Sequence, residues 1–298
     1  MADSNHKSGF VSIIGKPNVG KSTLMNALVG EKLSIITPKV QTTRHRIMGI
    51  LSKPEYQIVF SDTPGIIQPK YKLHGNMMQF VNESLQDADV VLFITSADED
   101  AKTDADLLAK LQLIKTPLIV IVNKIDLLTG DEALKNEVEA WNKILPEAQI
   151  MPVSALTKFN IKELVEVILK HLPVAPPFYP EDQLTDKSER FIASEIIREK
   201  IMMRYKEEIP YAVQVVVTEF KEEPNIIRIA AEIYVMRESQ RQIMIGKGGI
   251  AIKSVGVASR RDMERFFGKQ VFLQTYVRIK ENWRDNDSLL KQFGYKSE

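Results

Sequence analysis

The residues best suited to chemistry in this 298-residue chain lie in a few short strings, and the first is built for phosphate. Gly15-Lys16-Pro17-Asn18-Val19-Gly20-Lys21-Ser22, with Thr23 behind it, fits G-x-x-x-x-G-K-[ST]. Its glycines let backbone N–H groups turn inward around a polyphosphate, Lys21 brings a positive charge to the β- and γ-phosphates, and the Ser22 hydroxyl can ligate Mg²⁺. Asp62-Thr63-Pro64-Gly65 adds a carboxylate for the Mg²⁺ shell and, at Gly65, an N–H for the γ-phosphate. That N–H contact lasts only while the γ-phosphate does, so the segment after it is expected to switch. In Asn123-Lys124-Ile125-Asp126 the carboxylate of Asp126 can accept two parallel hydrogen bonds, from guanine N1–H and from its exocyclic amine. Adenine offers neither and would leave the carboxylate buried and unpaired. Lys124 is expected to lie along the base and Asn123 to brace the loop. Ser154-Ala155 can add a backbone N–H to guanine O6. The expected ligand is GTP or GDP with Mg²⁺.

These strings need elements that end in the right place. Phe10–Ile14, Tyr56–Ser61, Val90–Thr95, Leu118–Asn123 and Ile150–Val153 read as buried strands rich in Val and Ile, with Arg46–Leu51 an added edge strand. Helical patterns at 21–30, 76–87, 103–114, 131–144 and 160–171 alternate with them. Such alternation implies a mostly parallel sheet with helices on both faces. Each string then falls at the carboxyl end of a strand, in the order found in Ras-like GTPases. A threonine in the segment 38–44 would complete the Mg²⁺ coordination, Thr43 being preferred and Thr42 its rival. Where Ras carries a water-orienting Gln after Asp-x-x-Gly, this chain has Ile66, so the attacking water must be positioned by something else. Lys21, Thr43, Gly65 and Asn18 are the candidate catalytic residues, with Arg44 a further electrostatic helper.

Pro173 to Pro180 holds four prolines in eight residues, which favours an extended connection. The expected division is a GTPase domain over 1–172, a linker over 173–187 and a second domain over 188–298. In the latter a helix from Ser188 to Tyr205 precedes strands Tyr211–Lys221 and Ile226–Met236, helices Glu238–Ile245 and Ile250–Phe267, and a strand Gln270–Lys280. Ile245-Gly246-Lys247-Gly248-Gly249 puts a G-x-x-G loop between the last two helices, where glycines allow a nucleic-acid backbone to come close. Helix–strand–strand–helix–helix–strand around that loop is the bacterial, type II KH arrangement, an α+β fold. Residues 237–284 carry 11 Lys and Arg against 4 Asp and Glu, although the whole chain is near neutral. Arg241, Lys253 and Arg260, with Lys247, are the candidate phosphate contacts, Arg237, Arg261 and Arg265 supply further counter-charge nearby, and a single strand of about four bases is the expected ligand.

The strings GKPNVGKSTLMNALVG (15–30), PKVQTTRHRI (38–47), DTPGI (62–66), NKID (123–126), IGKGG (245–249) and NWRDN (282–286) resemble the Era family of bacterial ribosome-assembly GTPases, in the TrmE–Era group, over nearly the whole chain. The resemblance implies binding to the 3′ end of 16S ribosomal RNA, a role in maturation of the small ribosomal subunit, a monomer, and sometimes loose peripheral association with the membrane. It also implies that Asn18 holds K⁺ against the phosphates, giving slow hydrolysis that K⁺ stimulates more than Na⁺. A tRNA-modifying relative of the TrmE kind would need a C-terminal cysteine, and the chain has none. No apolar run approaches a membrane span and the N-terminus lacks an apolar leader core, so a cytoplasmic protein is expected. Four scattered histidines offer no zinc spacing. The pairs Met202-Met203 and Phe266-Phe267 are expected in the core, and Trp283 either packs or stacks on a base.

Overall fold

The computed structural model describes residues 5–97 and 104–296, and it divides into two compact units. The first comprises the chain to Ser34, then Thr43–Gln68 and Met77–Asp186. The second comprises Ile35–Thr42, Pro69–Asn76 and the chain from Lys187. The units are therefore interleaved in sequence. Contiguous sequence domains do not anticipate this.

The first unit is a six-stranded sheet in the order β2-β3-β1-β4-β5-β6. Its strands are β1 (Lys7–Gly15), β2 (Ile47–Lys53), β3 (Tyr56–Asp62), β4 (Val90–Ser96), β5 (Leu118–Asn123) and β6 (Gln149–Pro152). All neighbours pair in parallel except β2, which runs antiparallel to β3. Helices α1 (Lys21–Val29), α2 (Lys72–Gln86), α3 (Ala105–Gln112), α4 (Asp131–Ile144) and α5 (Ile161–His171) alternate with them. Position 103, the expected start of the third helix, lies outside the described residues. Every residue of β4 is buried, the signature of a parallel strand covered on both faces. Trp141 of α4 meets Phe93 of β4 edge-on at 5.6 Å.

The proline-rich segment is not a free connection. Ser8 N–H donates to Pro173 O (3.2 Å) and Ala175 N–H to His6 O (3.0 Å), so 173–175 extends along the start of β1. The amides of Phe178 and Tyr179 both donate to Gln57 Oε1, and Ile50 N–H donates to Leu184 O. The first unit accordingly ends at Asp186, beyond the prolines.

The second unit contains α6 (Glu189–Arg204), α7 (Ile209–Ala212), β7 (Gln214–Glu222), β8 (Ile226–Val235), α8 (Glu238–Ile245), α9 (Ile250–Phe267), β9 (Gln270–Ile279) and α10 (Asp287–Gln292). Ser188 caps α6 by accepting from Phe191 N–H. β8 lies between β7, antiparallel, and β9, parallel. Alternate residues Ile227, Ile229, Ala231 and Ile233 of β8 join Ile197 and Ile201 of α6 and Val255 and Met263 of α9 in one core. Trp283 is fully buried; its Nε1–H donates to Ala212 O and its ring packs edge-on against Phe293. It therefore packs and cannot stack on a base. Met202 and Phe267 face inward as expected, whereas Met203 and Phe266 are exposed, because neighbours on a helix point about 100° apart.

Candidate nucleotide site and nucleic-acid interface

The carboxyl ends of β1, β3, β5 and β6 bring the first four strings together. The register sets Ile13 beside Asp62 and Ser96 beside Asn123, so the loops that follow open on one edge of the sheet. Gly15 to Gly20 then wraps from β1 into α1, whose N-terminal amides face the loop. Asn18 holds a left-handed backbone (φ 65°) and its side chain is exposed. Lys21 is nearly buried, its Nζ donating to Gly15 O (3.1 Å) and Lys16 O (2.7 Å), which folds the loop around the ammonium. Lys16 pairs with Asp104, the cap of α3, at 3.1 Å. That carboxyl is held below its usual range by the Leu107 amide and by Lys16. Pro17, Val19 and Thr23 complete the loop, Val19 being buried.

Three oxygen groups converge beside it. Ser22 Oγ donates to Asp62 Oδ2 at 2.7 Å and lies 2.9 Å from Thr43 Oγ1, which is 3.3 Å from the same carboxylate oxygen. Asp62 is fully buried and its Oδ1 has no hydrogen-bond partner. Burial pushes its carboxyl up, against Ser22 and Lys21, which favour the charged form. A buried, half-unpartnered carboxylate among hydroxyls suits a hard divalent cation completed by phosphate oxygens. Thr42, by contrast, sends its hydroxyl to Lys39 O and belongs to the second unit. Arg44 is fully buried. Thr63 anchors the next turn to Ile13 O (2.7 Å), and after Pro64 and Gly65 the Ile66 amide donates to Gly15 O (3.0 Å). The Asp-Thr-Pro-Gly turn thus lies along the phosphate loop.

Asn123 joins the two halves of the site. Its Nδ2 donates to Val19 O (2.8 Å) and its Oδ1 accepts from Ala155 N–H (3.0 Å). Lys124 takes a left-handed conformation, and Asp126 follows in a 3₁₀ turn over Ile125–Leu127. Asp126 is exposed, with Oδ1 accepting from Ser154 Oγ at 2.5 Å. Among the described residues, no cluster of three or more His, Asp or Glu side chains could hold a metal by itself.

In the second unit Gly246, Gly248 and Gly249 all have positive φ, and Lys247–Gly249 forms a 3₁₀ turn between α8 and α9. A Cβ on Gly246 would stand 2.6 Å from that of Ala251. Lys247 is exposed at the tip, after half-buried Ile245. From there Ile250, Lys253, Ser254, Val257, Ala258 and Arg261 line one open groove along α9, part apolar and part cationic. Arg260 is not among them: it lines a separate cavity with Phe272 and lies 3.8 Å from Glu264. Residues 253, 257 and 261 form an i, i+4, i+8 stripe, and 260 falls on its flank. Arg261, one position on, lies in the groove itself. Arg241 pairs with Glu238 at 3.0 Å.

Fold and site together define a P-loop GTPase joined in one chain to a KH domain. Residues 10–124 match the family described as 50S ribosome-binding GTPase, and residues 208–284 match the KH domain family. The GTPase Era of Staphylococcus haemolyticus (strain JCSC1435) is 42% identical over 294 residues, 98% of each chain. The chain belongs to the Era family of GTPases. It is similar to the crystal structure of Era in complex with MgGDPNP and nucleotides 1506–1542 of 16S ribosomal RNA (TM-score 0.94, 40% identity), covering 98% of this chain and all of that one. A variant of Aquifex aeolicus Era bound to GDP·AlF4⁻ matches with the same score, identity and coverage.

Proposed function

We propose that this chain is a GTP-gated RNA-binding factor that engages the 3′ end of 16S ribosomal RNA during assembly of the small ribosomal subunit. What supports this reading is that one chain carries the phosphate-loop, Asp-x-x-Gly and Asn-Lys-x-Asp residues on adjoining strand ends and a G-x-x-G loop opening onto a cationic groove, with TM-score 0.94 to an Era–RNA complex. Functionally we divide the chain into a GTPase domain (1–172), a connection (173–187) and a KH domain (188–298). Lys21 and the loop Gly15–Thr23, through its backbone N–H groups (Pro17 has none), hold the phosphates; Asn123, Lys124, Asp126, Ser154 and Ala155 hold guanine. Ser22, Thr43 and Asp62 would hold Mg²⁺, which would supply positive charge against the phosphates. Thr43 takes this role over Thr42 because its hydroxyl stands with the other two. Gly65 offers its N–H to the γ-phosphate.

Ile245–Gly249, Lys253, Arg241 and, by its place in the groove, Arg261 contact RNA; Arg260 contributes at most from the flank. The protein works as a cytoplasmic monomer. No described helix is long and apolar enough to cross a membrane, and loose attachment at its inner face enters this reading from the family resemblance alone.

Two measurements test the scheme. If nucleotide gates the RNA site, a 16S 3′-end fragment binds the GTP-analogue form and the GDP form with different affinities, and the RNA changes analogue binding by the same factor. Equal affinities in the two forms would end the gating proposal. Asn18 and the loop backbone are assigned a K⁺, so phosphate release should run severalfold faster in K⁺ than in Na⁺ at matched ionic strength. Identical rates would remove the ion.

A further inference from the structure

The segment Ile35–Thr42 belongs to the second unit, and what holds it there is a buried ion pair on α6. Arg198 is 2% exposed. Its guanidinium forks onto Glu195, Nε to Oε1 at 2.7 Å and Nη2 to Oε2 at 2.5 Å. Of the remaining donors, Nη2 reaches Thr42 O and Nη1 reaches Gln41 O (3.4 Å) and Met202 Sδ (3.3 Å). Around this fork, Glu199 accepts from Ile36 N–H (3.1 Å), and Lys39 donates to Met202 O and Tyr205 O at the end of α6.

A buried ion pair is a costly way to stabilise a fold, since apolar residues of similar size usually do as well. Its best-attested use is to fix register. Here the register it fixes is that of the peptide leading into Thr43, the residue whose hydroxyl stands with Ser22 and Asp62. A guanidinium suits this task because its planar fork can grip a carboxylate on one edge and loop carbonyls on the other, which an ammonium cannot.

We propose that Arg198, oriented by Glu195, is a positioning residue for the GTP-bound switch, holding the Thr42 carbonyl so that the Thr43 hydroxyl stands beside Ser22 and Asp62, where it would help hold Mg²⁺. The inference rests on the assignment of Thr43 as a Mg²⁺ ligand. GDP lacks the γ-phosphate that brings Thr43 to the metal, so the effect is confined to the triphosphate state.

The test is a Mg²⁺ titration of the full chain with a GTP analogue and with GDP, alongside single-turnover hydrolysis. In R198A, half-saturating Mg²⁺ with the analogue should rise about tenfold and the hydrolysis rate should fall by a similar factor, with the GDP curve moved less than twofold. R198K should lie between R198A and wild type. Because R198A strands a buried carboxylate, the paired variant E195L/R198M is measured too; it should melt like wild type and still show the analogue-selective loss. Equal losses with analogue and GDP would mean a merely structural role and would overturn the proposal, as would a folded E195L/R198M with wild-type titrations. Thr43→Ala separates the two readings. If it leaves the analogue titration unchanged, the Thr43 assignment fails; if it shifts that titration while the Arg198 variants do not, the positioning role alone fails.

Discussion

Asp126→Asn should exchange guanine for xanthine. The native carboxylate accepts from N1–H and the 2-amine; an amide at the same place accepts one hydrogen bond and donates one, matching the N1–H and 2-carbonyl of xanthine. Each charge-assisted hydrogen bond contributes roughly 1.5–3 kcal/mol; the amide keeps only a neutral bond to N1–H and sets its own N–H against the 2-amine, so GTP affinity should fall by about two to four orders of magnitude. Ser154, whose Oγ donates to Asp126 Oδ1, remains to fix the new side chain in the old orientation. Calorimetry with GTP and XTP reads both halves of the exchange. GTP binding within threefold of wild type would show that some other group selects the base.

Gly20→Ala should disable the phosphate and base halves together. Gly20 has φ 102°, and a Cβ there would lie 2.2 Å from Asn123 Nδ2. Asn123 cannot yield without releasing Val19 O on one side and the Ala155 amide on the other. The expected result is at least a hundredfold loss of affinity for GTP and GDP alike, with about 1–3 kcal/mol lost from stability. Gly30→Ala is the control. Gly30 is also left-handed (φ 91°) but has nothing within 4 Å of its would-be Cβ, so that variant should lose about 1–2 kcal/mol and keep its nucleotide. If Gly20→Ala bound GDP normally, the Asn123 brace would have no part in holding nucleotide.

What the sequence discloses here depends on how local each cause is. The phosphate loop, Asp62-Gly65 and Asn123-Asp126 are legible because each function is packed into a few residues at the end of an apolar strand. The six strands of the first unit are legible for the same reason: β4 is an uninterrupted apolar run because both its faces are covered. Short elements were missed. Pro210 in α7 and the two turns after Ile279 left no periodicity to read. Placement of Ile35–Thr42 is out of reach of the sequence, since it depends on Arg198 and Glu195 on a helix more than 150 residues away. Their signal was faint, an i, i+3 ion pair on the apolar side of an amphipathic helix, and such pairs usually face water. Arg260 and Arg261 look alike in the sequence, where basic residues can only be counted; which of them faces the groove follows from how α9 packs.

The start of α2 illustrates the same distance. Its pattern becomes helical near residue 76, but the helix begins at Lys72, where the first amide donates to Asp285 Oδ1 at 3.1 Å, with Arg284 lying over the Tyr71 ring at 4.5 Å. The capping carboxylate is 213 positions further along the chain. During synthesis, the front of the polypeptide has its phosphate loop long before residue 285 is translated, yet the first turn of this helix has no cap until then. A nascent chain therefore has every string of its nucleotide site before it has the carboxylate that fixes the first turn of this helix.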